Sequence, residues 1–141
     1  MSTKKDISIK EIQKQLVARK SISVGSLIRT SIRVYKPLAK EKRQKIALYL
    51  PKDKTPLETN PLFFIEVFEN ILHKVLVHGD EGMLVTVSLH KESDVYTVSV
   101  HGKSIRILPQ ENLTNEHGGK IWSVSSPRGV TFYFTVPSTS S

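Results

Sequence analysis

Between Asn60 and Gly79 the chain carries Glu66, Glu69, Asn70, His73 and Lys74 at helical spacings, so two carboxylates, an amide, an imidazole and an ammonium share one arc. Two carboxylates and an imidazole are the raw material of a weak zinc site, although this spacing matches no established metal motif. The plainer expectation is a solvent-facing polar strip. A second set of charges, Arg29, Arg33, Lys36, Lys40 and Arg43, repeats at spacings of four and three and forms a basic stripe. Such a stripe suits nucleic acid or an acidic protein, or is simply a solvated helix face. No aromatic residues interleave it for base stacking, and no helix-turn-helix or zinc-finger pattern is present. His117 precedes Gly118 and Gly119 with no visible catalytic partner, so that triplet reads as a turn. Trp122, Phe132, Tyr133 and Phe134 fall on strands, where core packing is the expectation.

The charge is unevenly placed. Residues 1–54 hold fifteen Lys and Arg against four Asp and Glu, and the rest hold six against nine, for a net charge of +8. That asymmetry turns attention to an acidic partner, a nucleic acid or an anionic surface. The absence of cysteine excludes disulfides and thiolate metal sites. No apolar run approaches a membrane span, and the first fifteen residues lack the apolar centre of a signal peptide. The expectation is a cytoplasmic protein without membrane contact. The 141 residues suffice for one domain with a core that needs no staples.

The elements that position these side chains follow from periodicity. Ser26 to about Gln44 is helical, with Ile28, Ile32, Tyr35 and Ala39 on one side, joined by Leu27 and Leu38. Lys45–Pro51 alternates as a strand, and a polar connection follows to Glu58. Asn60 and Pro61 open a second helix as cap and first residue. It runs to His78 on a core face of Phe64, Phe68, Ile71, Leu72 and Val75, and Gly79 is expected to end it in the left-handed conformation. Strands are expected over Met83–His90 and Val95–His101 with a hairpin at Lys91–Asp94, then over Lys120–Ser125 and Val130–Val136 with a turn at Ser126–Gly129. This order implies an α+β fold, a helical layer on a largely antiparallel sheet. The expected division is an N-terminal arm or short helix over residues 1–21, the domain over 22–137, and a disordered tail over 138–141.

Three segments resemble the ATPase domain of bacterial histidine kinases, the GHKL or Bergerat type. EHGGKIWSVSSPRGVTFYFTVP (Glu116–Pro137) is similar to its closing turn and hairpin. NPLFFIEVFENILHKVLVHG (Asn60–Gly79) is similar to its Asn-bearing helix, and SLIRTSIRVYKPLAKEKRQKIALYLP (Ser26–Pro51) to its opening helix and strand. The resemblance covers Ile22–Pro137. It implies a two-layer α/β sandwich with a mostly antiparallel mixed sheet, helices on one face, and nucleotide held between the helices and a lid.

Carried over residue by residue, the resemblance implies a degenerate nucleotide site made of Asn70, His73, Lys74, His101 and Gly102. Asn70 keeps a phosphate- and magnesium-facing position. His73 stands where a second Asn is usual, and Lys74 stands at the Asn that helps hold the metal. Magnesium takes hard oxygen ligands, whereas an ammonium offers only donors. His101 takes the place of the adenine-accepting Asp, and only Gly102 supplies backbone freedom. Where a long lid belongs, the chain has Gln110–Asn115. No histidine precedes His73, so no phosphoacceptor helix is visible. The function expected from the resemblance is a pseudokinase: a non-catalytic signalling or adaptor module without cofactor, contacting a response regulator or a kinase. The alternatives are a residual ATP- and magnesium-binding domain, with Asn70 and Lys74 on the phosphates, and a nucleic-acid-binding module using the basic helix.

Overall fold

The computed structural model describes residues 22–57, 61–105 and 120–137. The expected arm at 1–21, the Asn60 cap, the short lid at Gln110–Asn115, the His117–Gly119 turn and the tail at 138–141 lie outside the described residues.

Helix α1 spans Val24–Glu41. It starts earlier than periodicity alone suggests because its cap is partly built by a distant residue. Ser23 Oγ accepts from Ser26 N at 3.4 Å. Thr55 takes the next two orphan donors, Val24 N on its carbonyl at 2.7 Å and Gly25 N on its hydroxyl at 3.1 Å. The same segment forms a minimal antiparallel ladder between β1 (Ile22–Ser23) and β3 (Pro56–Leu57). The helix ends in a Schellman arrangement: Gln44 N donates to Ala39 O at 2.8 Å and Arg43 N to Lys40 O at 3.0 Å, with Arg43 left-handed at φ 56°.

β2 (Lys45–Tyr49) follows, and α2 runs Pro61–His78. Gly79 after α2 is not left-handed, contrary to expectation; among the described glycines only Gly82 and Gly129 have positive φ. Gly79 is needed instead for close approach. A Cβ there meets the Met83 methyl and lies 2.8 Å from Val75 O, while its backbone bridges to Ile105.

Four long strands complete the fold: β4 (Leu84–Glu92), β5 (Val95–Gly102), β6 (Ile121–Ser126) and β7 (Gly129–Pro137). Their order with β2 is β2-β4-β5-β7-β6. β2 pairs with β4 in parallel and every other pair is antiparallel. The expected α+β class and two-layer mixed sheet are what the chain adopts.

Period-two alternation assigns the sheet faces. Val85, Val87, Tyr96, Val98, Val100, Phe132 and Phe134 are buried and join the helices in one core. Phe134 reaches across to Phe64 on α2, with ring centroids 5.3 Å apart. Thr86, Thr97, Ser99, His101, Thr131 and Tyr133 lie on the opposite, open face. Tyr96 is a fully buried tyrosine of this core, and its hydroxyl donates to Pro56 O at 2.8 Å.

Candidate functional site

The arc on α2 divides in the structure. Glu66, Asn70 and His73 are exposed and Lys74 is half-buried. Glu69 does not belong to the strip: it is 2% exposed. The reason is angular. Glu69 lies one turn from Ile65 and one from Leu72, so it falls on the buried stripe, whereas Asn70 is about 100° further round. Its carboxylate sits close enough to Tyr35 on α1 to act on it. Burial first, and the Glu69 charge second, push the Tyr35 phenol above its ordinary pKa. The Tyr35 ring also meets His73, with centroids 5.8 Å apart. Burial lowers the pKa of Lys74. Among the described residues no three His, Asp or Glu side chains gather as a metal-ligand set.

These shifts give stability a definite pH dependence. Burial also raises the pKa of Tyr96. The folded chain therefore holds the Tyr35 and Tyr96 protons more tightly than the unfolded chain. Their contribution is complete below the ordinary tyrosine pKa of about 10 and is lost as pH climbs through the raised folded values. Lys74 has the opposite sign, because its folded form releases the proton more readily and gains relative stability as pH rises. We expect alkaline melts to show Tm falling above about pH 10. A Tyr35→Phe, Tyr96→Phe double variant should lose the late-ionising fraction of tyrosinate absorbance.

His101 is not brought together with Asn70, His73 and Lys74. It lies on the open sheet face, where Nδ1 is 2.8 Å from Thr131 Oγ1 and its register partners are Thr86 and Thr131. There it lines a shallow hollow of about 340 Å³ with Asp80, Lys103 and Ser104. The thickness of the sheet separates it from the helices. Alternation explains this: Val98, Val100 and Gly102 face the core, so His101 must face away. Gly102 is buried on the helix side, where a Cβ would meet the Ile105 side chain and approach Met83 Sδ to 3.0 Å. Asn70, His73 and Lys74 thus share α2, and Gly102 shares their side of the sheet but not their surface.

The basic residues Arg29, Arg33, Lys36, Lys40 and Arg43 are all exposed. Lys36, Lys40 and Arg43 line an open groove of about 870 Å³ against Lys45 and Ile46 of β2. Sequence reasoning missed those two residues, because only strand pairing reveals that β2 is an edge. It also misplaced Trp122 and Tyr133. Phe132 and Phe134 are in the core, but Trp122 on edge strand β6 is 41% exposed. It stacks on Tyr133 at 5.1 Å with planes 14° apart on the open face.

No protein-family model and no curated protein matches the sequence, whereas solved structures match the fold. The catalytic domain of histidine kinase ThkA superposes with a TM-score of 0.77 at 17% identity, covering 86% of this chain and 97% of that one. ThkA in complex with the response regulator TrrA gives 0.74 at 17% identity, covering 95% of this chain and 47% of that one. Histidine kinase AdeS of Acinetobacter baumannii gives 0.71 at 10% identity, over 85% and 67%. No helix among the described residues is long and apolar enough to cross a membrane. At these identities the likeness is one of architecture, and the chain has the fold of the histidine-kinase catalytic domain.

Proposed function

We propose that the chain is a signalling module of histidine-kinase type that works through protein–protein contacts and has lost the use of MgATP. The observation that carries this reading is Lys74, a half-buried ammonium on α2 at the position where the resemblance puts a metal-holding Asn. An ammonium has donors and no lone pair for magnesium, and it repels the dication at close range. His101, the remaining candidate acceptor for adenine, faces the other side of the sheet. The residues present therefore do not fit MgATP. Signalling partners are supported by the complex that ThkA forms with the response regulator TrrA. A response regulator or a kinase is the partner class proposed for this chain.

Phosphate release from MgATP tests the reading. Wild-type protein and an Asn70→Ala variant should both show only the background of buffer. Turnover by the wild type that disappears in Asn70→Ala would give Asn70 a working phosphate contact and restore the ATPase alternative.

A further inference from the structure

We infer that the groove between α1 and the edge strand β2 is the partner-docking surface, and that its occupant is an acidic amphipathic helix of another protein. This rests on the reading of the chain as a protein-contact module and names the contact. The rim is cationic: Lys36 and Lys40 stand on one side, with Arg43 at the end of α1 and Lys45 at the start of β2. The floor is apolar, made by Ile32, Ala39 and Ile46. On its outer side β2 has no strand partner among the described residues, since the sheet runs β2-β4-β5-β7-β6. None of the lining residues belongs to α2, so the groove is separate from the Asn70–Lys74 edge.

Charge complementarity selects the occupant. Among the described residues Lys36, Lys40 and Lys45 have no carboxylate within ion-pair distance, while Arg43 already holds Glu81 at 3.6 Å. Three ammonium groups without a carboxylate among the described residues, and one engaged guanidinium, surround an apolar trough and call for carboxylates flanking apolar side chains. A nucleic acid would satisfy the rim but leave the Ile32 and Ile46 floor against a polar, phosphate-covered surface. A flat anionic membrane would meet a concave surface it cannot fill. From Ile32 to Arg43 the helix rises roughly 17 Å, which matches about three turns of a docked helix lying beside it.

The probe is a fluorescein-labelled helical peptide of about three turns, with Leu on one face and Glu on both flanks. It is titrated into the full chain and followed by anisotropy. We expect saturable binding that weakens with salt, at least tenfold weaker binding to the Lys36→Glu, Lys40→Glu variant, and a similar loss when the peptide's Leu residues become Ser. Lys103→Glu, outside the groove, should bind as wild type does. Both charge reversals are at exposed positions, and circular dichroism of each variant checks that it remains folded. Absence of binding by the wild type overturns the proposal. So does unchanged affinity in the double variant or with the Ser peptide, or tighter binding of a single-stranded DNA oligonucleotide than of the peptide. The two readings fail separately: MgATP turnover ends the non-catalytic reading and leaves the groove standing, whereas indifference of the peptide to Lys36 and Lys40 ends the groove alone.

Discussion

Replacing Phe134 with Ala should cost about 3–5 kcal/mol, a fall of roughly 10–20 °C in Tm for a domain of this size. Phe134 is fully buried on β7, a strand flanked by β5 and β6. Its ring meets Phe64 at 5.3 Å and Phe68 at 6.5 Å, so it joins the sheet to two successive turns of α2. Truncation removes those contacts and leaves a void that close-packed neighbours fill only in part. Total stabilities are of the order of 5–15 kcal/mol, so the variant should approach the limit of folding. Tyr133, one residue away on the open face, touches Trp122 rather than the helices, and Tyr133→Ala should cost only about 1 kcal/mol. Thermal melts of the two variants side by side check the assignment of faces.

Lys42→Met should cost about 2–4 kcal/mol, from the loss of several charged hydrogen bonds that do not add fully. Lys42 Nζ donates to Leu76 O at 2.7 Å, Val77 O at 2.8 Å and Gly79 O at 2.7 Å. All three of its protons are used, on carbonyls at the end of α2 that have no partner within the helix, and its charge sits at the negative end of the helix dipole. Gln44 Nε2 adds bonds to Leu76 O and Asp80 O, each at 3.1 Å. Two residues just past the end of α1 thus hold the end of α2, Lys42 with three bonds and Gln44 with two. Urea unfolding should show the loss, and amide exchange should rise first at Gly82, whose N–H donates to Lys42 O at 2.9 Å. Lys42→Arg should recover only part of the loss, because a planar fork does not converge on three carbonyls as a compact ammonium does.

The parts of this fold governed by local chemistry were legible in the sequence. The apolar stripe of α2 and its opening at Pro61 read directly, and so did both hairpins. Features set by distant residues did not. The start of α1 depends on Thr55, thirty residues from Gly25, and the parallel pairing of β2 with β4 has no local signature. Gly79 does not take the left-handed conformation expected after α2, whereas Arg43 takes it after α1, where two Schellman bonds hold it. Glu69 looked like part of a polar strip because residue type outweighed its angle on the helix. His101 looked like an adenine contact because motif position says nothing about which sheet face a strand residue takes. The basic stripe was visible, but the groove beneath it required the β2 edge.

Calorimetric titration of MgATP into the purified chain, with a non-hydrolysable analogue alongside, decides whether this histidine-kinase catalytic fold lacks a working MgATP site. No saturable heat is expected at millimolar nucleotide, for the wild type and for Asn70→Ala alike. Saturable binding at micromolar nucleotide, weakened by Asn70→Ala, would contradict that expectation.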